Sequence, residues 1–421
     1  MLLCCYLTAC SENDNDGSGS HSVDDGELVS DGGADSAGDM NAIVDIAMDV
    51  LDSDQKNVDN IPVKPETYEI IEIGTVEFQA PGLSPEFTLD VTDSATSVTL
   101  MVIGYPGNIY TLDRLKIDDE KYLVPPAWYA SNEGGVCWFG CTFRVTFAEQ
   151  TYAVTVPNTP LIDHKGGLYT FRFFGVDTST RGTPRGPAHV RAIIKKASPP
   201  PGPAKVDVHF YFTGAGGYSA GSAPNSPEFI WAVEDMRNKL ETGGVTLGKL
   251  TYTNVDPDLA VVETSSGPGS DLGQLFAHSQ QSGREGIHIF FVDELLQTGG
   301  GWGGSGLVLG ISGGIPGPPL TTGTFSSGIA VLANKWYLSQ LGGILGGTMA
   351  HETGHYLGLY HSTESSGAGD NIPDTELGDE NNLMHWTSNA KGLKLSWGQG
   401  VVIQRNPMVV MDDTTDANQG K

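Results

Sequence analysis

The segment HETGHYLGLYH, from His351 to His361, carries three histidines at fixed spacing. Residues i and i+4 share one face of a helix, so the spacing predicts a helix that projects His351 and His355 toward one point. Gly358 can adopt a positive φ, which predicts a sharp helix end that brings His361 back as a third ligand. Three nitrogen ligands leave a fourth tetrahedral position open, which is typical of catalytic rather than structural zinc.

The surrounding residues extend this pattern. Glu352 follows the first histidine, so its carboxylate is expected to flank the metal without binding it. The spacing His-Glu-x-x-His-x-x-Gly-x-x-His resembles that of the metzincin metalloproteases. Downstream, Asn382-Leu383-Met384 is similar to the Met-turn of that family, in which the methionine packs beneath the zinc. Together with residues 358–361 and 370–375, these motif sequences are most similar to those of pappalysin and cytophagalysin-type metzincins.

The resemblance implies a zinc-dependent metalloendopeptidase that hydrolyses peptide bonds of extracellular proteins or peptides. In such an enzyme His351, His355 and His361 would hold Zn²⁺, and Glu352 would activate the water at the metal. The partner would be a polypeptide substrate. The alternative is a surface adhesion or binding lipoprotein whose zinc site is catalytically inert.

Features near the motif leave alternatives open. Several metzincin families carry Tyr two residues after the methionine, but here that position holds Trp386, which is expected to shape the cleft floor. His385 either has a secondary role at the oxyanion or is a hydrogen-bonded turn residue. The acidic loop of residues 370–380 either binds Ca²⁺ or is a solvated turn, because it lacks regular calcium-loop spacing. The Gly-rich run 299–317 either borders the cleft beside an edge strand or is a surface loop.

Strands and helices alternate in the residues before the motif. This order predicts a C-terminal α+β domain over residues 205–421, with helices packed on a mixed sheet. Strands are predicted at 206–212, 246–255, 286–292 and 328–333, and helices at 227–240 and 271–281.

Residues 65–197 show a different pattern, with short alternating apolar segments bounded by Gly, Pro, Asn or Asp. The pattern predicts an N-terminal antiparallel β-sandwich domain of immunoglobulin-like or jelly-roll type. The predicted strands are 69–78, 97–103, 142–147, 151–156, 168–174 and 190–194. The Pro-rich residues 198–204 are predicted to be a stiff linker, so the whole chain is multidomain.

The positions of the cysteines indicate where in the cell the protein is located. Leu7-Thr8-Ala9-Cys10 resembles a bacterial lipobox, which implies a lipoprotein signal peptide over residues 1–10 and lipidation of Cys10. The chain would then be an exported bacterial lipoprotein, at the outer membrane or cell surface or secreted, touching a membrane only through its lipid. An ordinary hydrophobic terminus is the alternative. In an exported protein, Cys137 and Cys141 are expected to form a disulfide, with a metal pair as the alternative.

The charge is concentrated at the N-terminus. Residues 1–60 hold 14 of the 51 acidic residues and one of the 23 basic residues. Residues 11–64 are therefore predicted to be a disordered acidic tether, since their composition cannot bury enough apolar area to offset ordering. The formal net charge of −28 repels phosphate backbones and argues against nucleic-acid binding.

Overall fold

A computed structural model describes residues 8–11, 67–118, 122–127, 143–196, 203–264, 269–296, 308–333, 344–387 and 392–411. These residues belong to one compact unit. No helix among them is both long enough and apolar enough to cross a membrane. The predicted disulfide between Cys137 and Cys141 and nearly all of the predicted tether lie outside the described residues.

The described chain begins with strand β1 (Thr8–Ser11), and eight strands follow between residues 67 and 196. They are β2 (Tyr68–Val76), β3 (Phe87–Val91), β4 (Ser97–Ile103), β5 (Asn108–Ile117), β6 (Ala148–Glu149), β7 (Thr151–Val156), β8 (Gly167–Asp177) and β9 (Ala188–Lys195). Two four-stranded antiparallel sheets result, in the orders β2-β9-β4-β7 and β3-β8-β5-β6. Side chains of both sheets share one apolar core. Residues 67–196, here the β-sandwich half, therefore have the predicted antiparallel sheet architecture.

One predicted strand is wrong. The structure has no strand over the described residues 143–147, although Phe143, Val145 and Phe147 are all buried. The alternation in this segment reflects the packing of Phe143, Val145 and Phe147 in the apolar core, and not pairing with a neighbouring strand. Three strands of this half that the pattern did not single out, β3, β5 and the two-residue β6, are present instead.

Residues 203–411, here the α+β half, contain the remaining elements. The strands are β10 (Ala204–Phe212), β11 (Val245–Asn254), β12 (Val261–Glu263), β13 (Ile287–Val292), β14 (Glu294–Leu296), β15 (Val308–Ser312), β16 (Ile329–Leu332) and β17 (Val410–Met411). The helices are α1 (Pro227–Glu241), α2 (Asp271–Ala277), α3 (Ile344–Tyr356) and α4 (Trp397–Gln404). The four predicted strands and two predicted helices are confirmed, although α2 passes into a 3₁₀ turn at His278–Gln281.

The main sheet is mixed. Its order is β1-β15-β16-β13-β10-β11, with β17 also paired to β10. Strands β11, β10, β13 and β16 are parallel, while β15 runs antiparallel to β16. Strand β1 pairs antiparallel with the outer edge of β15, with Thr8 opposite Ser312 and Ala9 opposite Ile311. A two-stranded parallel sheet, β12-β14, lies apart from it.

Local sequence signals explain where α1 lies. Ser226 caps its N-terminus by accepting from the Phe229 amide, and Pro227 occupies the first helical position, where no backbone donor is needed. The buried side chains recur at helical spacing, as at Phe229, Met236 and Leu240. This face packs in the core that also holds Met349 of α3, so α1 supports the helix that bears the histidine motif.

The two halves share buried structure. Met101, Ala153 and Ile193 of the β-sandwich half belong to the main apolar core of the α+β half. The fully buried Lys195 Nζ donates to the carbonyl oxygens of Gln404, Asn406 and Val409 at 2.5, 2.9 and 2.5 Å. In return, Arg405 donates to the carbonyl oxygens of Pro157, Thr159 and Ile162. The contact between the two halves is therefore an extension of the apolar core, with buried lysine and arginine side chains hydrogen-bonded across it.

Candidate metal centre

Helix α3 brings the first two histidines together. His351 and His355 lie one helical turn apart on the same face, and their ring centroids are 4.7 Å apart. Both side chains are buried, with 1% and 0% of their surface exposed. The predicted helix over the first two histidines is thus present, and it places both imidazoles inside the protein.

The turn after α3 supplies the third histidine. Gly358 has a φ of 114°, a conformation that side-chain-bearing residues rarely adopt. The Leu359 amide donates to the Gly354 carbonyl oxygen at 2.9 Å, which closes the helix end. The chain then returns so that the His361 ring lies 4.7 Å from His355 and 5.4 Å from His351. One nitrogen from each histidine lies within 4.8 Å of the other two.

Each imidazole is oriented by a hydrogen bond at Nδ1. The Nδ1 of His351 donates to the Leu383 carbonyl oxygen at 2.6 Å, and that of His355 to the Leu359 carbonyl oxygen at 2.7 Å. The Nδ1 of His361 donates to a carboxylate oxygen of Glu364 at 2.9 Å. Because carbonyl oxygens only accept, the proton must be on Nδ1, which leaves the Nε2 lone pair available for a metal.

The Nε2 atoms fit a metal ligand set. Those of His355 and His361 are buried and have no hydrogen-bond partner among the described residues. A buried acceptor without a partner is costly unless a ligand satisfies it. Burial lowers the pKa of His351 to about 3, helped by the nearby His361, and burial lowers that of His355 well below its ordinary value. Both rings are therefore neutral at physiological pH, as metal coordination requires.

The Glu352 side chain extends from α3 toward strand β15. Its side chain has no exposed surface. A Cβ built on Gly310 of β15 would lie 2.7 Å from Glu352 Cγ and 2.9 Å from Glu352 Oε1. Glycine at this position thus leaves the space in which the carboxylate lies. Within the described chain, the only cluster of metal-binding side chains is the histidine triad, and Glu352 is outside it.

The segment of residues 382–384, which follows the triad in the chain, packs against α3. The Leu383 carbonyl that orients His351 immediately precedes Met384, which is fully buried. A Cβ on Gly354 would lie 2.5 Å from Met384 Sδ, so the methionine packs directly against α3. The turn is held by Asn382, whose side chain accepts from the Met384 amide and exchanges hydrogen bonds with Gln399.

His385 has a defined hydrogen-bonding state. Its Nδ1 lies 2.8 Å from the Thr387 hydroxyl and accepts from the Thr387 amide at 3.3 Å. An Nδ1 that accepts must be unprotonated, which puts the proton on Nε2 in the neutral ring. Burial lowers the pKa of His385, so the neutral donor form is favoured. The predicted secondary role at an oxyanion therefore stays a prediction, with a suitable donor present.

Glu364 was not predicted from the sequence. Its carboxylate joins His361 to Arg144 of the β-sandwich half, whose Nη2 donates to Oε1 at 2.8 Å. Burial alone would raise the pKa of Glu364, but the hydrogen bond from His361 and the charge and hydrogen bond of Arg144 outweigh it and lower the pKa to about 2. The only sequence signal is an acidic residue three positions after His361, which by itself is unremarkable.

The remaining predicted site residues lie elsewhere. In the acidic loop, Asp370 Oδ1 accepts from the Thr375 hydroxyl and the Ile372 amide, while Asp374 accepts from the residues that begin α4. No three carboxylates of this loop converge within the described part of the chain, and calcium binding there stays a prediction. Residue Cys10 lies in β1 on the outer edge of β15, and its lipidation also stays a prediction.

Comparison with known proteins gives a distant likeness. No protein-family model matches the chain, and no curated protein matches it. Among solved structures it is similar to metalloproteinase-II from Bacteroides fragilis, with a TM-score of 0.29 and 14% sequence identity. The match covers 53% of this chain and 63% of that one, which is less than two thirds of its length. An overlap this low supports no functional argument, so the functional argument depends on the histidine cluster.

Proposed function

We propose that this protein is a zinc metalloendopeptidase of the metzincin type that hydrolyses polypeptides. The observation that carries the proposal is the convergence of three buried imidazoles, each held by a hydrogen bond at Nδ1, with Glu352 directly after His351 on α3. Imidazole ligands suit zinc, and three of them leave a coordination position open. The similarity to the pappalysin and cytophagalysin subtype is proposed from the motif sequences alone.

Zinc, when bound, would act as a Lewis acid that acidifies water and polarises the scissile carbonyl. Glu352 would accept the proton of the attacking water; its position directly after His351 and its burial away from bulk solvent support this role. The same carboxylate can then pass the proton to the departing amine. His385, with its proton on Nε2, is the proposed additional donor to the developing oxyanion.

Strand β15 supports a polypeptide as substrate. Strand β15 borders Glu352 and accepts an extended segment, β1, on its outer edge. An extended peptide could bind the same edge through main-chain hydrogen bonds, which are independent of sequence. The pairing of β1 with β15 supports this mode of binding, and a substrate would have to replace β1 there.

The test compares metal content with hydrolysis. The purified protein should carry about one zinc and cleave casein in a reaction that a chelator stops and zinc restores. Glu352→Gln should keep the zinc but lose at least roughly 10²–10⁴-fold in rate, since it keeps the shape and removes the base. Zinc lost in Glu352→Gln would contradict the general-base role. A parent that binds zinc and cleaves no peptide would favour the inert binding lipoprotein instead.

A further inference from the structure

The carboxylate of Glu364 serves two donors at once. Its Oε2 accepts from Nδ1 of His361 at 2.9 Å, and its Oε1 accepts from Nη2 of Arg144 at 2.8 Å. His361 precedes it by three residues, whereas Arg144 is 220 positions away in the β-sandwich half. One side chain thus connects the third histidine of the triad to the other half of the molecule.

Arg144 is itself firmly held. Its side chain is 6% exposed, and its guanidinium carbon lies 4.0 Å from the centre of the Tyr360 ring. Its carbonyl oxygen accepts from the Tyr360 hydroxyl at 3.3 Å and from Asn158 Nδ2 at 2.5 Å. Tyr360 directly precedes His361, so the arginine contacts the returning chain on both sides of the histidine.

His361 differs from the other two histidines in what orients it. His351 and His355 lie on α3, and their Nδ1 atoms donate to backbone carbonyls, which have no rotamers. His361 lies beyond the helix end, and its acceptor is a glutamate side chain with three rotatable bonds. The Glu364 side chain is 19% exposed. Without a second partner it could turn toward water and release the imidazole.

We infer that Arg144 is a positioning residue for the metal site, which fixes His361 through Glu364. The β-sandwich half thereby contributes to metal affinity and does not act only as a spacer. The inference rests on the metal site of the proposed function, but not on the peptidase reaction. A glutamate is required between them because both of its neighbours donate, and the amide of a glutamine would turn a donor toward one of them.

The experiment measures zinc affinity in the full chain by competition with a zinc-binding dye. The variants are Glu364→Gln, Arg144→Met and the double variant, with Arg144→Lys as the milder change should Arg144→Met not fold. The matched control is Arg191→Met, which removes another buried arginine of the β-sandwich half. Arg191 donates to the Leu320 carbonyl oxygen and the Thr321 hydroxyl, and it is outside the triad and its acceptors.

Outer-shell partners of metal-binding histidines are typically worth about 10–100-fold in affinity. Glu364→Gln should weaken zinc binding within that range, Arg144→Met should weaken it less, and the double variant should equal Glu364→Gln. The visible spectrum of the Co²⁺-loaded protein should change in Glu364→Gln and Arg144→Met and stay constant in Arg191→Met. Arg191→Met should keep parental zinc affinity even if it lowers stability.

Other outcomes separate the two proposals. Parental zinc affinity in Arg144→Met and Arg144→Lys, or effects that add in the double variant, would overturn the positioning role. Equal losses of zinc affinity in Arg144→Met and Arg191→Met would mean that Arg144 only stabilises the fold in general. A parent that binds zinc without hydrolysing peptides would refute the proposed enzyme, while the ranking of variants would still decide the inference. A parent that binds no zinc would overturn both.

Discussion

Substituting Gly310 tests how closely strand β15 confines the proposed general base. A Cβ at this position would lie 2.7 Å from Glu352 Cγ, 2.8 Å from Thr348 Cγ2 and 2.9 Å from Glu352 Oε1. All three atoms belong to α3, and both side chains are buried. The methyl group of Gly310→Ala would therefore clash with two buried side chains of α3.

The size of the effect follows from these distances. Non-bonded carbon atoms prefer separations of about 3.5–4.0 Å, so Glu352 must shift by about 1 Å. A displacement of that size at a reacting group costs on the order of 10²-fold in rate. Overpacking in a tight core also costs about 1–3 kcal/mol in the free energy of unfolding. None of the three atoms nearest the new methyl group belongs to a histidine, so zinc content should stay at the parental level.

The assay is kcat/KM on a quenched fluorescent peptide, together with zinc content and denaturant unfolding. Gly347→Ala is the matched control on α3, because its Cβ would meet Lys239 Cε at an ordinary 3.7 Å. Replacing a helical glycine by alanine there should add roughly 0.5–1 kcal/mol of stability and leave the rate unchanged. If Gly310→Ala kept the parental rate and stability, the position of Glu352 against β15 would be wrong.

Three further predictions concern stability and location. Burial raises the pKa of Asp370 to about 6, so the folded state binds this proton more tightly than the unfolded state, and its contribution to stability falls as pH rises from about 4 to 6. Asp370→Asn should therefore reduce the decrease in the free energy of unfolding over this pH range by up to about 3 kcal/mol. Denaturant unfolding of the parent and the variant across the range measures the difference. Added calcium that stabilised only the parent would support a cation at the loop. The Tyr356 hydroxyl is buried with no hydrogen-bond partner among the described residues, so Tyr356→Phe should be neutral or stabilise by about 1 kcal/mol in thermal unfolding; a clear loss would reveal a missing partner. If Cys10 is lipidated, Cys10→Ala should move the protein from the membrane to the soluble exported fraction, and an unchanged membrane fraction would refute the lipobox.

The histidine triad could be predicted from the sequence because its geometry is local. A helix of fixed pitch and one glycine with positive φ determine where His351, His355 and His361 lie relative to one another. The pairing of Arg144 with Glu364 could not be predicted in the same way. It depends on how the β-sandwich half meets the α+β half, and no periodicity in the chain encodes that contact.

The strands show the same limit. Those with apolar residues at every second position were predicted, such as β4 and β7. Strand β5 was not, because a register shift between Leu112 and Arg114 interrupts its alternation, so that the core residues Leu112 and Leu115 are three positions apart. Asp113, at this shift, is fully buried and pairs with Arg172 of β8, and only the partner strand explains a buried carboxylate there. The strand prediction for residues 143–147 was wrong for the opposite reason, because apolar alternation there reflects packing in the core without strand pairing.

The buried cations between the halves also bear on how this chain could have changed over evolutionary time. A sandwich that is merely appended through a linker can be exchanged, duplicated or lost while the rest of the protein stays intact. Here a replacement sandwich would have to supply a lysine amine for three carbonyls of the α+β half, and backbone carbonyls for Arg405 in return. Any lineage that shuffled the halves would leave buried charges unsolvated. We therefore expect the two halves to be inherited together, with substitutions on one side of the contact matched on the other.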